Sequence, residues 1–217
     1  MKRYIVYLLS LSVLTSCSLS VQSKAEKFAE DYIKSCLVYP NSYENVKTVV
    51  DTAYYSPAFD TYVLSCAEKI IEAERDIESR EYDLGNAKRM MESYSDSNRE
   101  YGRKQYREYS QKYQELLASD KDSRRIIEEK TACILERRAS VPADTVIGWR
   151  ISSKYRARNA YGMPNLGEYL IVVSPDFSEL VFATHDWDMG YKVKLDKLAE
   201  IFGYDDVEPL CGKLWAL

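Results

Sequence analysis

Residues 62–138 constrain this chain more than any other stretch. They hold no proline, only Gly85 and Gly102 among glycines, and dense charges of both signs. A backbone so free of breakers favours helix, provided that a narrow apolar stripe finds a partner. Two such stripes are present. Ile70, Ile71, Ile77, Leu84, Ala87, Met90, Met91 and Tyr94 mark the first. Tyr106, Tyr109, Tyr113, Leu116, Leu117, Ile126, Ile127, Ile134 and Leu135 mark the second. Their width suits a seam between two helices rather than one face of a globular core. Ser, Asp, Asn and Gly collect over residues 93–102, where turn chemistry predicts the tip of a long antiparallel hairpin. Asp120, Asp122 and Ser123 are a second candidate break and predict a kinked return arm.

A tip near residue 99 or 100 makes the numbers of antiparallel partners add to about 199, as those of Cys66 and Cys133 do. The two thiols are thus expected level at the hairpin base, where a disulfide would clamp it. Cys36 and Cys211 are left as a second pair by elimination, tying the first helix to the C-terminal tail. Three pairings, or four buried thiols, are the alternatives. No CxxC spacing supports zinc or thiol-redox chemistry.

Around the hairpin the patterning changes. Ala25, Phe28, Ala29, Tyr32, Ile33, Cys36 and Leu37 recur at helical steps and predict a helix over 25–38, ended by Pro40. Residues 43–55 are rich in Val, Thr and Tyr and read as a strand. After Pro142, Ile147, Trp149, Ile151, Ser153, Tyr155 and Ala157 alternate with Gly148, Arg150, Ser152, Lys154, Arg156 and Arg158. That is a strand with one buried and one basic, wet face. Residues 159–167 read as a turn, 168–173 and 179–184 as a β-hairpin, and 193–202 as a short helix ended by Gly203. Leu210, Leu214 and Trp215 predict a docked tail. The expected fold is α+β. An N-terminal helix packs on a four-stranded antiparallel sheet, and the helical hairpin is inserted after the first strand. The body is then 25–61 with 139–217, and the insertion 62–138; a coiled domain beside a β domain is the alternative.

The chain opens with Lys2 and Arg3, a mostly apolar run over 4–14, and the small-residue close Leu14-Thr15-Ser16-Cys17. This charged, apolar, small-residue order is that of a secretory signal. The run is too short to cross a bilayer, which takes about 20 residues. The closing tetrapeptide resembles the lipobox of bacterial lipoproteins. The resemblance implies cleavage after residue 16, acylation of Cys17 by fatty acid, and a short lipidated tether over 17–24. It also implies a lipid-anchored protein of the bacterial envelope, on an outer-membrane, periplasmic or surface face. Loss of 1–16 leaves 28 basic against 34 acidic residues, a net charge of −6. Such a balance argues against a nucleic-acid partner, since phosphate contacts need clustered Lys and Arg.

Two further segments carry a looser resemblance. Leu37-Val38-Tyr39-Pro40-Asn41-Ser42-Tyr43-Glu44 and Tyr155-Arg156-Ala157-Arg158-Asn159-Ala160-Tyr161-Gly162 are similar to segments of a loosely defined group of small exported bacterial domains. The resemblance implies fold and export and carries no reaction.

Catalytic material is thin. His185 is the only histidine, in Thr184-His185-Asp186-Trp187-Asp188, and a polar strand-end turn explains it better than a base or a metal ligand. No GxSxG, HExxH, EF-hand or phosphate-binding glycine motif occurs. The expectation is therefore a non-enzymatic protein without cofactor or metal. Its partners would be a membrane, through the anchor, and an envelope protein or glycan. Tyrosine is unusually frequent at 19 residues, and Tyr94 and Tyr101 flank the hairpin tip, where exposed rings would grip a partner protein. Arg156 and Arg158, on the wet strand face, suit an acidic partner or a sugar acid. Seam packing of the tyrosines and pairing of the arginines with the protein's own acids are the plainer readings.

Overall fold

The structure, a computed structural model, describes residues 21–186 and 188–211, with the backbone alone at Cys211. Cys17, Trp187, Leu214 and Trp215 lie outside the described residues. The fold is α+β. Helix α1 spans 21–36. A 3-10 turn at Pro40–Ser42 leads into β1 (Glu44–Tyr54), and a second at Pro57–Phe59 into α2 (Thr61–Tyr94) and α3 (Glu100–Ser140). Strands β2 (Val146–Arg158), β3 (Pro164–Val173) and β4 (Leu180–His185) follow, then α4 (Met189–Phe202) and α5 (Glu208–Cys211).

The chain divides into two compact units. One takes the chain up to Asp60, Val141–Val193 and the chain from Asp206 onward; the other takes Thr61–Ser140 and Lys194–Asp205.

The first unit is built on an antiparallel sheet in the order β1-β2-β3-β4. Alternation on β2 decides its faces. Ile151, Ser153 and Ala157 are buried while Arg156 and Arg158 are exposed, the register that period-two patterning predicts. Ala25, Ala29 and Ile33, one stripe of α1, close on Ile151, Ile171 and Val173, with Tyr155, Tyr169 and Trp149 around them. Small residues on the helix let it approach the pleat closely. The opposite sheet face carries Phe182, whose ring lies 5.7 Å from Phe59 and 5.1 Å from Tyr191. The Tyr191 hydroxyl donates to the Ala58 carbonyl at 3.2 Å.

Three boundaries lie four residues earlier than the sequence reading, those of α1, β3 and α4, the last beginning at Met189 rather than 193. Helix α1 begins by residue 21, four residues before the apolar periodicity, because Gln22 Nε2 donates to Glu26 Oε1 and to the Thr48 carbonyl of β1. Strand β3 begins at Pro164 rather than 168. Asn159 closes the preceding turn within five residues. Its N–H donates to the Met163 carbonyl at 2.9 Å, and its Oδ1 accepts from Tyr161 N and Met163 N. Gly162 supplies the left-handed conformation (φ 77°). Pro164 then stands at the first strand position, where proline is tolerated.

The second unit holds the helical hairpin. α2 and α3 meet with Ile70, Ala87 and Ile134 of the predicted stripes buried, together with Ala73, whereas Tyr106, Leu117 and Leu135 of the second stripe are exposed. Residues 95–99 form the tip. Gly102 is required there, because a Cβ at 102 would stand 2.4 Å from Ser97 Cβ. The expected kink is absent, and α3 runs unbroken through Asp120–Ser123. Helix-spaced pairs outweigh the weak propensities: Asp120 accepts from Arg124 Nε at 2.8 Å, and Arg125 bridges Asp122 and Glu129 at 3.3 Å. Ser123 is buried and accepts from Arg80 Nη2. Residues 194–205 also belong with the hairpin, through Lys194–Glu68 at 3.0 Å and Lys197–Glu74 at 2.8 Å. The Arg138 guanidinium lies 4.3 Å from the Phe202 ring centroid.

Candidate functional site

The Pro40–Ser42 turn and the end of β2 enclose a cleft in the first unit. Pro40 sets the 3-10 turn, and Ser42 anchors it. Ser42 Oγ donates to the Tyr39 carbonyl at 2.7 Å and accepts from the Arg158 backbone N–H at 2.8 Å. Tyr39, Asn41, Ser42 and Glu44 line one side; Arg156, Ala157, Arg158 and Pro164 line the other, around about 460 Å³. The two sequence segments that resemble exported domains, 37–44 and 155–162, thus converge on one concavity. Strand periodicity explains why both arginines face it while Ala157 between them is buried. Arg150, farther along the same strand face, is paired with Asp51 at 3.2 Å. No such pair engages Arg156 or Arg158 among the described residues.

At the hairpin tip the structure brings the two tyrosines into contact but gives them different exposure. Tyr94 is half-buried, stacked on Tyr109 (6.3 Å, 7°) with Tyr101 edge-on at 6.4 Å. It is a seam residue. Tyr101 is 67% exposed, and Tyr82 is 74% exposed on α2.

His185 lies edge-on to Tyr169 at 5.7 Å. The acids beside it serve the backbone. Asp188 Oδ1 accepts from Tyr191 N at 2.9 Å at the start of α4, and Asp186 Oδ1 accepts from Glu168 N at 3.4 Å.

Cys36, Cys66 and Cys133 are free thiols: Cys36 exposed, Cys66 buried, Cys133 half-buried. The Cys66 and Cys133 sulfurs both lie at the Tyr62 hydroxyl. Its contact with Cys133, then the fields of Cys66 and Cys133, push the phenol up to about 12. Cys36 neighbours Tyr169. Its expected partner, Cys211, has a side chain that lies outside the described residues.

Three features escape sequence reasoning. Tyr39 and Glu44 join the arginines only through the β1–β2 pairing. Tyr62 precedes Cys66 by one helical turn, a spacing that signals contact once the helix is granted. Glu168 is the third. It is 8% exposed, with Oε1 unpartnered, and burial pushes its carboxyl above the usual range, opposed by Lys154.

No protein family matches the chain, and searches of curated proteins and of solved structures found no match.

Proposed function

We propose that this protein is a non-catalytic lipoprotein of the bacterial envelope, held to a membrane through acylated Cys17, whose helical hairpin engages a second envelope protein. One observation carries the hairpin reading. Tyr101 is 67% exposed although the neighbouring seam has a place for tyrosine, which Tyr94 fills. The hairpin's own stripes close on each other; Tyr82 lies outside them, and Tyr101 meets them only edge-on at Tyr94. Rigid, amphipathic rings of this kind give contact area at small entropic cost. The anchor rests on the leader and on the Leu14-Thr15-Ser16-Cys17 close.

Two measurements test the two halves. Mass spectrometry of the protein from its native membrane should find residue 17 N-terminal and carrying fatty acid; an intact leader on a cytosolic species would overturn the anchor. A photocrosslinker at position 101 should trap one defined envelope protein, and Tyr101→Ala with Tyr82→Ala should abolish its co-purification. Undiminished recovery by the double variant would overturn the hairpin reading.

A further inference from the structure

We infer that the cleft between the Pro40–Ser42 turn and the end of β2 is a binding site for a monoanionic sugar acid. This stands apart from the hairpin reading and concerns the other unit.

The charge is selective. Arg156 and Arg158 bring two guanidiniums and Glu44 one carboxylate, a local balance of +1 in a chain whose total is −4. An acidic protein has carboxylates enough to pair these arginines, as Asp51 pairs Arg150. Among the described residues it pairs neither, so two fork-shaped donors stand uncommitted on one face of one strand. Two residues along a strand is about 6.6 Å. That spacing lets one guanidinium fork a carboxylate while its neighbour meets an adjoining ring or hydroxyl oxygen. A net +1 suits one carboxylate. Inorganic phosphate, which carries between one and two negative charges at neutral pH, would leave negative charge uncompensated.

The neutral lining specifies the rest of the ligand. Tyr39 is 43% exposed and offers a ring face to the C–H side of a pyranose. The Asn41 amide and the Glu44 carboxylate supply donors and acceptors for hydroxyls. Ser42 is spent on the Tyr39 carbonyl and the Arg158 N–H, so it fixes the wall rather than meeting ligand. The volume, about 460 Å³, falls in the lower part of the small-ligand range.

Calorimetric titration of the full chain in detergent with glucuronate tests this, with glucose and inorganic phosphate as parallel probes. Saturable binding of glucuronate, and at least tenfold weaker binding of glucose and phosphate, is expected. Arg156→Gln and Arg158→Gln should each weaken glucuronate about tenfold, as loss of a charge-assisted hydrogen bond does. Both are exposed, and an unchanged circular dichroism spectrum verifies the fold. Tyr101→Ala should leave glucuronate binding intact, which separates failure here from failure of the hairpin reading. Absence of saturable binding, equal binding of glucose, tighter binding of phosphate, or indifference to both arginine variants would each overturn the site.

Discussion

Arg80 of α2 reaches across the hairpin seam and donates through Nη2 to the Ser119 carbonyl of α3 at 3.4 Å. Fourteen residues toward the base on each helix stand Cys66 and Cys133. Fourteen residues is about 21 Å on both arms. It is also two heptads, which return to the same side of a supercoiled seam. The register fixed at Arg80 therefore carries to the two sulfurs, and the Tyr62 hydroxyl touches both.

The first prediction follows. Under an oxidising disulfide buffer, the 66–133 pair should close by exchange, the two electrons and two protons passing to the buffer disulfide, which leaves as two thiols. Unreduced peptide mapping should recover a Cys66–Cys133 link. Closing a loop of this length should stabilise the chain by about 4 kcal/mol. Recovery of both thiols alkylated after oxidation would refute it.

Glu168 gives the second. A folded-state value above the unfolded one means that its contribution is most favourable below the usual 4.5 and is lost as pH rises through the folded value. At a pH where the unfolded carboxyl is ionised, folding either buries that charge or takes up a proton, and both are a cost. Glu168→Gln, which keeps a polar atom in place but removes the charge, should raise stability near pH 7, and the gain should vanish below pH 4. Denaturant titrations at the two pH values decide it.

Asp176 has the opposite sign. Its carboxylate accepts from Ser174 Oγ at 2.7 Å, and from Ser178 Oγ and N at 2.8 and 3.1 Å. Those bonds hold it down at about 2. Its contribution is complete above the usual 3.8 and fades as pH falls toward 2. Asp176→Asn should therefore destabilise the β3–β4 turn at pH 6 and make less difference at pH 2, as thermal melts would register.

Ser42→Ala removes the oxygen shared by the Tyr39 carbonyl and the Arg158 N–H. A loss of about 1 kcal/mol is expected. Amide exchange at Arg158 should accelerate while exchange at Ile151 stays slow; equal rates in variant and parent would show that the turn is held by other contacts.

Sequence patterning reached the fold because the fold rests on periodicity. The β2 alternation, the α1 stripe of Ala25, Ala29 and Ile33, and the two hairpin stripes each specify an element and its buried side. Boundaries were less legible where a single side chain decides them, as Gln22 and Asn159 do. The straight path of α3 through Asp120 required the i, i+4 partners to be weighed against intrinsic propensity. The arginines of the cleft were visible as a wet strand face. Their companions Tyr39 and Glu44 were not, because residues over a hundred positions apart become neighbours only through strand register. Tyr94 was legible as a seam residue through its place in the first stripe; that Tyr101 faces solvent depends on a degree of helix rotation that spacing cannot supply.

The insertion between β1 and β2 bears on how the sheet is assembled. Adjacent strands separated by residues 61–140 would ordinarily search slowly for one another, since closure over so long a tether is entropically unfavourable. A pair of antiparallel helices zips from local contacts and delivers its two ends side by side. The arm thus acts as a built-in splint: once it has formed, the Tyr55 N–H meets the Thr145 carbonyl as if across a short turn. Matched deletions of whole heptads from α2 and α3 should leave refolding of the sheet fast, whereas proline placed mid-arm should slow it.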